Sequence, residues 1–315
     1  MSALICGSIA YDNIMVFDDS FKNHILPEQI HILNVAFLVP QLRKEFGGCA
    51  LNIAYNLRLL GGDPLPMGTA GKDFAPYRSW LERWGIRQDH VREIDEVFTA
   101  QAFITTDLDD NQITAFHPGA MNHSHLNKVT DAEGVTIGMV SPDGRDGMLQ
   151  HAEQFAAAGI PFVFDPGQGL PMFGADELRR FVEQATWVTV NDYEWHLLKE
   201  RTGWDVDDVN ERVEALIVTR GAKGSMIYTQ ERGYVIDPAS PREVHDPTGC
   251  GDAYRAGLLF GLMKGYDWPT TGRIASLMGS FKIEFHGTQN HHFTLEEFSQ
   301  RFEADFGEPL RKLRR

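Results

Sequence analysis

The chain is predicted to fold as an α/β protein, a doubly wound, mostly parallel sheet flanked by helices and carrying a small β lid. Three observations point there. Short apolar runs, each closed by Gly, Asp or Asn, recur along it: "ALICGSIAYD", "GVTIGMVSPDG", "IPFVFDPGQG", "TWVTVND" and "ALIVTRGAKG". Stretches with helical spacing lie between them, at residues 50 to 60, 74 to 84, 144 to 158 and 175 to 185. Strands that are apolar along their whole length and alternate with helices make a parallel sheet covered on both faces. Two regions break the rhythm. "QIHILNVAFLV" (29 to 39), and "TAQAFITTD" (99 to 107) joined through "DLDDN" to "NQITAFHPG" (111 to 119), read as strands with no helix between them, which makes antiparallel structure. The body is therefore placed at residues 1–10, 46–95 and 121–315, and the lid at 11–45 and 96–120.

Composition sets limits on partners. Hydrophobic residues make up 43% and charged residues 23%, the balance of a soluble globular chain. Lys and Arg number 29 against 44 Asp and Glu, a formal net charge of −15 that repels a phosphate backbone, so no nucleic-acid partner is expected. The one dense basic cluster is the terminal "RKLRR". Cys6, Cys49 and Cys250 are an odd set without metal-ligand spacing, which argues for a reducing compartment. "MSALICGSIAYDN" has no basic leader, and no apolar stretch approaches the roughly 18 residues that span a bilayer. A cytoplasmic protein with no membrane partner is expected.

Ligands of a doubly wound sheet bind beyond the carboxyl ends of its strands, where this sequence places Asp12, Asp165, Gln168, Asn191, Glu194 and Gly221. Two further segments stand out. In "FGGCALNIAYNLRLLGG" (46 to 62) Gly48 lets a small ligand approach the main chain, and Asn52 offers hydroxyls a donor and an acceptor; as plain structure, it is a helix with a flexible start. In "HDPTGCGDAYRAG" (245 to 257) two readings stand side by side. Gly249, Cys250 and Gly251 can cradle an anion at a helix start, or they make a turn while Asp252 complements the helix dipole. The order of glycines excludes the dinucleotide fingerprint G-x-G-x-x-G, and Pro66 breaks the one approach to a P-loop.

The pairing of G-G-x-x-x-N-x-A-x-x-L-x-x-L-G with D-P-T-G-C-G-D-A-Y resembles the ribokinase-like (PfkB) family of carbohydrate and nucleoside kinases, over nearly the whole chain to about residue 290. The resemblance implies ATP-dependent phosphorylation of a primary hydroxyl. It implies that Asp252 is the catalytic base and that the N–H groups of Gly249, Cys250 and Gly251 form the anion hole. By the same resemblance Asn191 and Glu194 organise Mg2+ and phosphates, although Asn-x-x-Glu is also a capping box. Thr219, Gly221, Lys223 and Gly224 would line the ATP site, and Asp12 would hold a ribose diol. Asp246 and Thr248, with carbonyls near "FHGTQN" (285 to 290), mark a candidate site for a monovalent cation such as K+. Phe103 and Phe116, at positions similar to an adenine-binding pair, and Gln168 in "DPGQG" look like the adenosine-kinase branch, so adenosine is the expected substrate and a free sugar the alternative. A homodimer through the lid is the assembly considered. The family's Asp-Thr-x-Gly-Ala-Gly-Asp pattern is altered by Pro247 and Cys250, and Tyr254 replaces the commoner Phe. A thiol at a helix start is expected to have a lowered pKa and to be blocked by alkylation unless ATP protects it.

Overall fold

The computed structural model describes residues 2–25, 35–109 and 111–310. Among them, nine strands form the main sheet. They are β1 (Ser2–Cys6), β4 (Pro64–Gly71), β5 (His90–Ile94), β8 (Val135–Val140), β9 (Phe162–Phe164), β10 (Trp187–Asn191), β11 (Ala215–Thr219), β12 (Ser225–Thr229) and β13 (Gly233–Ile236), in the order β13-β12-β11-β10-β9-β8-β1-β4-β5. Neighbours from β11 to β5 run parallel, whereas β12 and β13 add an antiparallel hairpin at one edge. This is the doubly wound architecture that the apolar runs predict.

Alternation along the strands divides the core in two. Ala3, Ile5, Ala215 and Ile217 enter one apolar cluster with α1 (Cys49–Leu59), α2 (Ala75–Trp84), α7 (Cys250–Lys264) and α8 (Trp268–Ile283). Leu4, Cys6, Leu216 and Val218 enter the other with α3 (Arg145–Ala158), α4 (Ala175–Gln184), α5 (Asp192–Thr202) and α6 (Val206–Asn210). A third cluster joins α8 to α9 (Leu295–Phe306).

A second, four-stranded sheet has the order β3-β2-β6-β7, from β2 (Ala10–Val16), β3 (Gln41–Gly47), β6 (Ala100–Thr106) and β7 (Gln112–His117). The run "ALICGSIAYD" therefore splits into two strands. At Gly7 a Cβ would meet Ser141 Oγ at 2.1 Å, and at Ser8 the chain leaves the main sheet, its carbonyl accepting Ala50 N at 3.1 Å and its hydroxyl Cys49 N at 3.1 Å. Of the strand expected at 29 to 39, residues 29–34 lie outside the described residues and 35–39 are not strand. β2 pairs on one side with β6 and on the other with "QLRKEFG", an edge strand whose charged residues are divided between its two faces. The basic cluster 311–315 also lies outside the described residues.

Candidate active site

The start of α7 is built by the backbone. Gly249 is its N-cap in the left-handed region, φ 81°, which a glycine adopts without strain. Cys250 N donates to Pro247 O at 3.1 Å, so this amide, expected in the anion hole, closes a turn instead. The amides of Gly249 and Gly251 have no protein acceptor among the described residues. Together with the positive end of a helix 15 residues long they form an anion site.

Asp252 sits at the first turn of this helix and is half-buried. Burial pushes its carboxyl above the usual range, against the opposing pull of a hydrogen bond from Asn52 and the charge of Arg255. Asn52 Nδ2 donates to Asp252 Oδ2 at 2.8 Å, while Asn52 Oδ1 accepts from Gln289 Nε2 at 2.9 Å. Gln289 is fixed in turn by Tyr77 Oη at 2.6 Å and by Trp80 Nε1 at 2.9 Å. Asn52 was expected to hold substrate hydroxyls; its oxygen and one amide hydrogen are spent on orienting Asp252. Gly48 was likewise expected to admit a ligand. At φ 90° its Cβ would lie 2.5 Å from Ser8 O and 2.6 Å from Ala10 N, so the residue is small because protein backbone already crosses it. The adjacent Gly47 is the glycine that makes room for a site residue, since its Cβ would meet Asp12 Oδ2 at 2.5 Å.

Asp12 lies on β2, in register with Glu45 of β3 and Ala102 of β6. Burial first, and then the negative charges of Asp252, Glu45 and Asp246, push its carboxyl up to about 6. These neighbours turn the Asp12 face of the small sheet toward α7. The register also corrects the expected aromatic pair. Phe116 is opposite Ala102 and so shares the Asp12 face, whereas Phe103 is opposite Ala115 and Asn13 and points to the other face. One chain cannot close both rings on the same base.

Around the strand ends, Gln168 is exposed in the 3-10 turn Gly167–Met172 that follows β9. Asn191 and Glu194 form the reciprocal cap of α5: Glu194 N donates to Asn191 Oδ1 at 2.7 Å and Asn191 N to Glu194 Oε2 at 2.8 Å. Thr219 ends β11, and the exposed turn Gly221–Lys223 leads to Gly224, whose Cβ would strike Ile236 O at 2.1 Å. Gly224 therefore serves the β11-β12 hairpin, while Lys223 is left at the surface above the carboxyl end of β11.

Arg255 is a buried charge beside Asp252 that the sequence did not single out. It is buried one turn beyond Asp252, its Nη2 donating to Asp165 Oδ1 at 2.6 Å and lying 3.9 Å from Glu194 Oε2. Burial works against its charge, but Asp165, Glu194 and Asp252 outweigh that and raise its pKa further. It thus ties α7 to the ends of β9 and β10. A signal existed: Arg255 is the one charge between Asp252 and Lys264 in an otherwise apolar helix.

Two departures from the expected motif have physical explanations. Tyr254 Oη is 2.7 Å from buried Ser225 Oγ, a partner that phenylalanine would leave unsatisfied. Cys250 behaves opposite to expectation: burial pushes its thiol up to about 11, and the charges of Lys282, Asp246 and Asp252 only modify that.

Comparison with known proteins puts names beside this geometry. Residues 12–294 match the pfkB family carbohydrate kinase. A nucleoside kinase of Methanocaldococcus jannaschii is 36% identical over 275 residues, 86% of this chain and 89% of that protein. The structure of Burkholderia thailandensis nucleoside kinase in complex with inosine superposes with a TM-score of 0.90 at 51% identity, covering 98% of this chain and 99% of that one. Its ADP-inosine complex superposes at 0.88 with 52% identity, covering 99% of each chain.

Proposed function

The chain belongs to the pfkB family of carbohydrate kinases and is a phosphotransferase acting on a hydroxyl group; from that premise we propose that it moves the γ-phosphoryl group of ATP to the 5′-hydroxyl of a purine nucleoside, adenosine in particular, giving AMP and ADP. The observation that carries this reading is Asp252, locked by Asn52 beside the amides of Gly249 and Gly251, which have no protein acceptor among the described residues. Phosphoryl transfer is governed by positioning and charge stabilisation, and both are present at one helix tip. The carboxylate takes the hydroxyl proton as the oxygen attacks phosphorus, the bond to the ADP oxygen breaks, and the amides receive the negative charge of the transferring group.

Asp12 accepts hydrogen bonds from the ribose diol, Phe116 offers the base a stacking surface, and the exposed amide of Gln168 can present its donor or its acceptor to the purine edge. That versatility suits adenosine and, by the same amide, the inosine bound by the Burkholderia enzyme. Lys223, Thr219 and Gly221 flank the nucleotide. Mg2+ carried on the ATP phosphates would be held near Asn191 and Glu194 at the start of α5. When bound, the ion neutralises phosphate charge. Leu42, Phe103 and Ile113, exposed together on the outer face of the lid, are the surface by which two copies would pair. None of the helices in the described residues is long and apolar enough to cross a membrane, and the proposed reactants are small molecules available in the cytoplasm.

The test is ADP release with adenosine, inosine, guanosine, ribose and fructose 6-phosphate, run beside Asp252→Asn. Adenosine should turn over, and the variant should lose about 10²- to 10⁴-fold in kcat while still binding nucleoside. Turnover of a free sugar with none of any nucleoside would overturn the substrate assignment.

A further inference from the structure

The turn that leads into α7 is braced from behind by a buried cation belonging to the protein itself. Lys282, on the last turn of α8, is fully inaccessible to solvent. Its Nζ donates to the main-chain oxygens of Asp246 at 2.7 Å and of Phe285 at 3.0 Å. The Asp246 carboxylate is also occupied, Oδ1 accepting from Thr248 N at 2.9 Å and Oδ2 from Gly287 N at 2.9 Å. These are the residues and the 285 to 290 segment at which a monovalent cation was expected. The oxygen shell such an ion would need is already satisfied by ammonium and amide protons, and a second cation there would meet a like charge at close range in a poorly solvated site. The residues therefore do not fit a bound K+.

We propose that the ammonium group of Lys282 stands in for a monovalent cation behind the anion hole, so that this enzyme needs no potassium. An ammonium group resembles K+ in charge and in the carbonyl shell it accepts, but it is tethered to α8 and cannot be exchanged with solvent. Two neighbouring contacts fix it to the same place: Ile283 O accepts from His245 N at 2.9 Å and from Asp246 N at 3.2 Å, so the end of α8 holds both the loop and the charge beneath it. Two residues separate Asp246 from Gly249, close enough for the charge to order the turn and to add to the positive end of α7. Lys282 touches no substrate in this scheme; it is a positioning residue.

The proposal rests on the phosphoryl-transfer reading, and its test has one measurement that does not. Purified full-length enzyme is stripped of alkali ions and compared in choline, Na+ and K+ chlorides at equal ionic strength, by ADP release and by thermal unfolding. The wild type should show the same rate within about twofold and the same unfolding midpoint in all three. Lys282→Met, which keeps the stem and removes the charge, should lose at least tenfold in kcat in choline or Na+, recover most of it in K+, and unfold at a higher temperature in K+ than in Na+. Lys282→Gln serves if the methionine variant does not fold. A wild-type rate or midpoint that rises severalfold or by several degrees with K+ overturns the proposal, and this arm needs no variant. So does a folded variant that keeps wild-type activity in choline, and so does one that loses activity and gains nothing from K+, since Lys282 would then be a packing residue only. If no substrate turns over, the midpoints of wild type and variant still decide whether Lys282 replaces the ion.

Discussion

Asn52 illustrates what single residues do here and why they were hard to read. An asparagine following Gly47 and Gly48 on a helix near the site has the donor and acceptor a sugar requires, yet its partners, Asp252 and Gln289, lie 200 and 237 positions away in the chain. Local pattern cannot reveal such a pairing. Asp252 itself was legible as a candidate base because the role proposed for it depends on a helix start, which the adjacent glycines announce. Cys250 was read wrongly for a related reason: the helix start is visible in sequence, whereas the burial that dominates its ionisation is not. With the thiol pushed up to about 11, Cys250 should react slowly with iodoacetamide at pH 7.5, and the labelling rate should climb roughly tenfold per pH unit up to pH 10, following the thiolate fraction. Mass spectrometry of the Cys250 peptide against time would measure this. Fast labelling that is flat with pH would mean the helix dipole prevails over desolvation.

At the level of elements, α7 matters because it carries Asp252, Gly251 and Arg255 on one rigid rod, and its aim is set by α8. Gly257 and Gly261 let the two helices approach: a Cβ on Gly257 would lie 2.5 Å from Ala275 Cα, and one on Gly261 would lie 2.5 Å from Thr271 Cγ2. Gly257→Ala must push main chain away from main chain. The expected result is a loss of about 1–3 kcal/mol in stability together with a lower kcat, because the displacement tilts the helix that carries the proposed base. Gly279→Ala on α8 is the control. Its Cβ would meet only Cys250 O at 3.7 Å, and relative to glycine an alanine in a helix gains up to about 1 kcal/mol. Differential scanning fluorimetry and initial rates on the two variants separate crowding from generic glycine effects; equal behaviour would remove the role given to the α7–α8 contact. The spacing of Gly257 and Gly261 was visible in the sequence, but the identity of their partner was not. Strand β4 escaped sequence reading for a different reason. "PLPMGTAG" is buried at every position, yet its two prolines and two glycines argue against a strand. Pro64 and Pro66 lie in the stretch where β4 is flanked by β1 but not yet by β5, which pairs only from Met67 onward, so missing N–H groups are tolerated.

For the whole molecule, the small sheet decides whether the site is complete in one chain. Apolar runs and helical spacing made the doubly wound body legible, since its pattern is repeated many times over, and the β6-β7 hairpin was equally plain. The faces of the lid were not, because the register between strands distant in sequence decides which side chains share a face. That register puts Phe116, itself 51% exposed, on the Asp12 face and leaves Leu42 66%, Phe103 42% and Ile113 45% exposed on the opposite one. Three large apolar side chains spread across one exposed sheet face are what a second copy would cover. A dimer formed there is self-complementary, with the same patch on both partners, and it would place each Phe103 against the lid of its neighbour. Charge alone would keep copies apart at −15 per chain, so the contact must be carried by apolar burial, and raising the salt concentration should strengthen it. Sedimentation velocity on the wild type should give a dimer at micromolar concentration, more firmly associated at high salt, and Phe103→Asp combined with Leu42→Asp should give a folded monomer with a raised KM for nucleoside. A wild-type chain that sediments as a monomer at all salts would take Phe103 out of the site and leave the stacking proposed for the base to Phe116.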